Sequence, residues 1–180
     1  MAATASSGSP AAPRTIIYID GFNLYYGALK GGPHKWLDLE RCFNLLRPHD
    51  DIRQLHYFTA LVRGPSLPDQ QTYLRALATL PLVNVVLGNY KAKQVKCAVA
   101  GCTHAGTRIF STVEEKRTDV NIALQMLEDS YEDRADRLIL VSGDSDLVPA
   151  VIKVKALGKE VIVYVPAPGP GAGQQSSYVP

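Results

Sequence analysis

Between residues 14 and 165, short apolar runs alternate with longer stretches of helical period. "TIIYID" (15–20), "IRQLHYFTAL" (52–61), "LVNVVLG" (82–88), "RLILVS" (137–142) and "EVIVYV" (160–165) are rich in Ile, Val and Tyr and read as strands. From Lys116 to about Tyr131, Val120, Ala123, Leu124 and Leu127 recur at i, i+3, i+4 and i+7, which predicts a helix with one apolar face. Residues 38–47, 68–80 and 146–157 follow the same period more weakly. Pro149 suits the first turn of the last of these, where a missing N–H costs least, and Gly158 suits a left-handed C-cap at its end. Strands separated by helices of this length call for right-handed βαβ crossovers. The expected fold class is therefore α/β, with a mostly parallel sheet of five or six strands and helices on both faces.

The flanks differ in composition. Residues 1–13 are Ala/Ser/Pro-rich and the stretch from Pro166 to Pro180 is Pro/Gly/Ser/Gln-rich, so both are expected to be disordered around a domain spanning 14–165. Gly169, Gly171 and Gly173 lie in no helix-forming pattern, which argues against a phosphate loop there. With 180 residues, 46% hydrophobic and 20% charged, the chain fits one globular domain. The net charge of +2 demands neither nucleic acid nor membrane, so any electrostatic case must come from local clusters. No basic leader with an apolar core and no apolar run of about 20 residues occurs, and a soluble, cytoplasmic protein is expected. Three cysteines, an odd number, point to reduced thiols or a metal clip rather than a disulfide framework.

In open α/β sheets, ligands bind beyond the carboxyl ends of the strands, where strand order reverses. The first predicted strand ends in Asp20, beside Gly21, and the fourth runs through Gly143 into Asp144 and Asp146. Asp119 opens the amphipathic helix, with Glu115 just upstream. Taken singly, each has a structural explanation as an Asx-turn, a helix N-cap or an offset to the helix dipole. Converging on one edge, they would repel one another unless a cation were bound, and carboxylates without nearby His or Cys suit Mg²⁺ or Mn²⁺. Such ions hold phosphate oxygens and activate water.

Three blocks, "YIDGFNLYY", "EEKRTDVNIALQML" and "LILVSGDSDLVPAVIKVKALGKEVIVY", resemble in order the signature blocks of the NYN domain in the LabA-like group of the PIN-like nuclease superfamily. The resemblance covers about residues 14–165. It implies a three-layer α/β/α PIN-like fold, the first and fourth strands adjacent at the centre, and metal-dependent ribonuclease activity. It also implies an acidic site at Asp20, Asp119, Asp144 and Asp146, with Asn23 as a polar neighbour. In such an enzyme Asn23 would position a phosphate or a metal-bound water, and Lys116 would neutralise charge developing at the phosphate. Asp144 is the preferred metal ligand; helix capping explains Asp146 as well as ligation does.

Lys91, Lys93, Lys96 and Arg108, with Arg117 beside Asp119, place positive charge near this site, either to hold an RNA backbone or as solvated loop residues. Tyr25, Tyr26 and Trp36 could stack unpaired bases, although at least one of the two tyrosines is expected to face the core. Cys97, Cys102 and His104 are a candidate zinc trio that needs a fourth ligand, Cys42 or His56, brought in by the fold; otherwise the thiols are ordinary. Phe22 stands where a phosphoaspartyl phosphatase needs Asp, the turn after the first strand lacks Gly-x-Gly-x-x-Gly, and Ser142 and Ser145 sit in no nucleophile elbow. The expected activity is thus RNA phosphodiester hydrolysis, the alternative an RNA-binding or regulatory module with the same fold and little catalysis. The expected partner is single-stranded RNA, with no membrane, and a homodimer is admitted.

Overall fold

The computed structural model describes residues 11–167, apart from the side chains of residues 113–116. Gly169, Gly171 and Gly173, and the side chains of Glu115 and Lys116, therefore lie outside the described residues. Strand β1 (Arg14–Asp20) leads into a single α-turn, α1 (Gly21–Leu24), which widens into a π-helical turn over Tyr25–Leu29. Helix α2 (Leu39–Leu46), strand β2 (Asp51–Thr59), helix α3 (Leu67–Leu77) and strand β3 (Val83–Leu87) follow. Then come β4 (Asn89–Lys96), β5 (Ile109–Lys116), α4 (Thr118–Tyr131), β6 (Arg137–Val141), α5 (Val148–Ala156) and β7 (Glu160–Tyr164).

The sheet has five strands in the order β3-β2-β1-β6-β7, all parallel, so the first and fourth strands predicted from sequence are neighbours at its centre. Alternation along β1 sends Ile17 and Ile19 to a core with Leu39, Phe43 and Leu77 of α2 and α3, and Ile16 and Tyr18 to a second core with Ile122, Met126 and Val154 of α4 and α5. These are the three layers of the expected α/β/α architecture. Ile17 is fully buried, so Ile17→Ala costs about 2–5 kcal/mol.

Strand and helix ends follow local chemistry. Gly158 adopts φ +82°; its N–H donates to Lys155 O, and the Lys159 N–H donates to Val154 O, the double bond of a Schellman cap. Pro149 falls in the first turn of α5.

Two expectations need correction. Residues 89–116 form a two-stranded antiparallel hairpin, β4–β5, instead of a loop; neither strand packs extensively on another element. The apolar row expected to face the core on α4 is also split: Ala123 and Leu127 pack against the core, but Val120 is 59% and Leu124 60% exposed, while Ile122 and Met126 are fully buried. The reason is Asp129, also buried, whose Oδ2 accepts from Tyr18 Oη at 2.7 Å and whose Oδ1 accepts from Arg134 Nη1 at 2.8 Å. Satisfying that carboxylate fixes the rotation of the helix.

Candidate active site

Asp20 ends β1 two residues beyond Tyr18, which places its side chain on the α4/α5 face at the carboxyl edge of the sheet. It is 5% exposed, and its oxygens accept three hydrogen bonds. Oδ1 caps the following turn by accepting from the Asn23 N–H at 3.0 Å; Oδ2 accepts from Asn23 Nδ2 at 3.0 Å and from Ser142 Oγ at 3.2 Å. Asn23 Oδ1 in turn accepts from the Gly143 N–H at 3.0 Å, and Ser142 Oγ accepts from the Asp144 N–H at 3.1 Å. Asn23 therefore ties β1 to the segment after β6 with both ends of its amide. Ser142, weighed in the sequence only as a hydrolase nucleophile and set aside, is the hinge of this network. Its position at the carboxyl end of a central strand was the available signal.

The two glycines act by clearance. A Cβ on Gly21 would lie 2.7 Å from the ring and hydroxyl of Tyr57 and 2.8 Å from Phe58 O. One on Gly143 would meet Asn23 Oδ1 and Val165 Cγ1 at 3.3 Å. Gly143 is not among the residues of positive φ, so close approach rather than a left-handed turn explains it.

Asp144 and Asp146 separate in an unexpected sense. Asp144 caps the 3₁₀ turn Ser145–Leu147, its Oδ1 accepting from the Asp146 N–H at 2.9 Å, whereas Asp146 is exposed. Capping thus falls on the residue preferred as ligand. Asp119 sits half-buried in the first turn of α4. Its pKa is raised, first by burial and then by the charges of Asp144, Asp20 and Asp146 in that order. The four predicted carboxylates are therefore brought to one edge and feel one another. As placed, no three His, Cys, Asp or Glu side chains among the described residues close into an ion-sized set.

Helix α4 reaches the site through Arg117, which takes a left-handed conformation at φ 82°. For a non-glycine residue this costs about 1 kcal/mol, and it turns the hairpin sharply into the helix. With the Asn89 amide set to satisfy both its ends, its oxygen accepts from Arg117 Nη1 at 2.9 Å. Opposite residues of the hairpin share a face, so Lys91 and Lys93 lie on the side of Val95 and Phe110, and Lys96 lies on the other with Ile109. Arg108 Nη2 donates to Cys102 O at 3.2 Å. Lys116 ends β5, next to Arg117.

Tyr25 and Tyr26 are both exposed, contrary to the expectation that one faces the core. Tyr26 stacks on Phe22 at 6.1 Å and carries Lys30 Nζ 4.9 Å from its ring centre, while Trp36 lies edge-on to Tyr73. The zinc trio does not assemble among the described residues: Cys97, Cys102 and Cys42 are free, the His104 ring lies tilted 5.9 Å from that of Phe110, and His56 is buried in the core between Tyr18 and Phe58. The hairpin holds Cys97 at the end of β4, where its N–H donates to Arg108 O, and Cys102 lies in the connecting turn. Among the described residues, no helix is long and apolar enough to cross a membrane.

Comparison with known proteins adds two findings. A family model described as the NYN domain matches residues 14–177. The chain is similar to 6-hydroxy-3-succinoylpyridine 3-monooxygenase HspA of Pseudomonas putida (strain DSM 28022 / S16), at 32% identity over 188 residues, covering 87% of this chain and 60% of that one. The chain thus spans about 60% of that relative's length.

Proposed function

Because the chain belongs to the NYN domain family, whose members are PIN-like and nuclease-like, we propose that it is a metal-dependent ribonuclease hydrolysing RNA phosphodiester bonds at the carboxylate edge. The observation that carries this reading is the gathering of Asp20, Asp119, Asp144 and Asp146 at one edge of the sheet, where burial first and then the neighbouring charges raise the Asp119 pKa. Like charges gathered at one edge fit a hard divalent cation, and an all-carboxylate donor set suits Mg²⁺ or Mn²⁺. Asp20, Asp119 and Asp144 would hold it, with Asp146 at the exposed rim. When bound, such an ion polarises the phosphodiester and lowers the pKa of the attacking water.

The remaining roles belong to the chain itself. Asn23 and Ser142 hold the Asp20 carboxylate in one orientation, so little reorganisation is needed at the moment of reaction. Lys91, Lys93, Lys96, Arg108 and Arg117 neutralise the RNA backbone, and Lys116 offsets charge at the phosphate. Exposed Tyr25, with Tyr26, offers a stacking surface for an unpaired base.

A second reading comes from the relative's name: oxygenation of a hydroxylated pyridine, for which the same stacking surface would serve the heteroaromatic ring. The two separate in one experiment. Labelled single-stranded RNA is incubated with the protein in Mg²⁺, in Mn²⁺ and in EDTA, and a hydroxypyridine is offered separately with oxygen and a nicotinamide reductant. Cleavage that needs the ion and stops in EDTA supports the ribonuclease. Equal cleavage in EDTA overturns the metal-carboxylate mechanism, RNA binding without cleavage favours a binding module, and pyridine turnover alone favours the oxygenase.

A further inference from the structure

The positive charge of the chain is gathered in one element. Residues 89–117, the β4–β5 hairpin and its exit into α4, hold six Lys and Arg against Glu114 and Glu115, a net charge of +4. The whole chain carries only +2, so the rest of it is net negative. The two faces of the hairpin divide this charge unequally. The bond from the Cys97 N–H to Arg108 O extends the ladder by one pair. By register, Lys91, Lys93, Arg108 and Lys116 then share one face with Glu114, while the other face has Lys96 and Glu115. The first is the cationic face.

That same face carries two aromatic rings toward its tip. Phe110, opposite Val95, is 48% exposed on a ribbon that packs extensively on no other element, so its ring builds no core. The His104 ring lies 5.9 Å from it, tilted by 44°, and rests over Gly106, where an added Cβ would fall 3.1 Å from His104 Nε2. The turn that presents His104 is closed by Arg108 Nη2 on Cys102 O, with Gly101 at φ +77°. Lysines at alternate positions beside two exposed rings match a ligand of alternating phosphates and open base faces. A duplex keeps its base faces inside the stack and offers these rings nothing to cover. At its base the hairpin runs through Lys116 and Arg117 into the first turn of α4, which holds Asp119. From Phe110 to Lys116 the strand covers about 20 Å, the length of roughly six stacked nucleotides.

We infer that the cationic face of the hairpin is a platform for single-stranded RNA, on which Phe110 and His104 stack unpaired bases while Lys91 and Lys93 hold the phosphates, and which leads the strand to the carboxylate edge. The inference deepens the ribonuclease reading and rests on it for the identity of the ligand.

Fluorescence anisotropy of a labelled, unstructured RNA of about 12 nucleotides, titrated with the full chain in EDTA, reads binding apart from cleavage. Phe110→Ala replaces an exposed side chain, leaves the circular dichroism spectrum unchanged and weakens binding by about 10-fold; His104→Ala weakens it by about 3- to 5-fold. Phe110→Trp keeps the affinity within about twofold, whereas Phe110→Leu, apolar but without a ring, loses as much as Ala. On an abasic chain of the same length, wild type and Phe110→Ala bind within about twofold of each other, because only the phosphates remain to be held. Equal RNA affinity of wild type and Phe110→Ala overturns the platform, as does an equal loss on the abasic chain or a Leu variant that binds like Trp. Displacement of the RNA by polyglutamate that depends on Phe110 also overturns it, assigning the face to an acidic protein. RNA bound through Phe110 but cut in neither Mg²⁺ nor Mn²⁺ keeps the platform and sinks the ribonuclease; cutting that ignores Phe110 does the reverse. A wild-type chain that binds no RNA overturns both.

Discussion

The two edges of the central sheet use the same residue type to opposite ends. At the amino edge, aspartates are paired. Arg14 donates to both oxygens of Asp136 and holds its pKa down at about 2, chiefly through those hydrogen bonds. The Asp50 side chain is largely shielded, which alone would raise its pKa, yet hydrogen bonds from Arg47, Arg137 and Thr15 outweigh that and lower it. At the carboxyl edge, Asp20, Asp119, Asp144 and Asp146 gather with no arginine hydrogen-bonded to them among the described residues; Asn23 and Ser142 hold Asp20, and Asp119 is raised, first by burial and then by its acidic neighbours. The amino edge locks β1, β2 and β6 together; the carboxyl edge accepts an electrostatic cost, which a bound cation would remove.

Breaking the paired edge should have the largest effect. Arg137→Leu leaves the Asp50 carboxylate, 3% exposed, without its 2.6 Å partner, and should lower unfolding free energy by about 3 kcal/mol in urea titration. Cleavage per folded molecule should be unchanged. The hairpin comes next: Lys91→Ala should weaken RNA binding by about 3- to 10-fold and reduce the slope of log K against log salt by about one, because it removes one phosphate contact. Lys96→Ala, on the opposite face, should do less. Similar losses from both would show that RNA does not run along the Lys91–Phe110 face.

The smallest effect carries the opposite sign. A carboxyl whose folded pKa lies above its unfolded value binds more protons folded than unfolded, so stability falls as pH rises from 3.8 through the folded pKa. At pH 7 the ionised Asp119 is destabilising, and Asp119→Asn should raise Tm at low salt, less so as salt screens the cluster. Asp136 behaves inversely: its contribution is complete above 3.8 and is lost as pH falls toward about 2. Adding Mg²⁺ should raise the wild-type Tm and raise that of Asp119→Asn less. An Asn variant less stable than wild type at pH 7 would mean that Asp119 is a structural cap.

Much of this organisation was legible in the chain. The five parallel strands announced themselves through Ile/Val/Tyr runs, and the position of Asp20 and Asp144 at strand ends followed from where those runs stop. The hairpin was hidden because "NYKAKQVK" alternates lysines with small or polar residues and has no apolar face to betray a strand. The rotation of α4 was hidden because both its rows are apolar, and only the long-range bond from Tyr18 to Asp129 decides between them. Ser142 and Asn23 were underread for the same reason: a hydrogen bond across 122 or 120 residues of chain leaves no local pattern.

The central claim, that these carboxylates form a cation-dependent phosphodiesterase edge, is tested most directly at Asp144. Asparagine can still cap the 3₁₀ turn through its Oδ1, so Asp144→Asn keeps the fold and removes one negative charge. Cleavage and binding of the same labelled single-stranded RNA are measured for wild type and variant in Mg²⁺ and in Mn²⁺. Cleavage should drop about 100-fold or more while RNA affinity stays within about twofold of wild type. Unchanged cleavage by the variant would contradict the account.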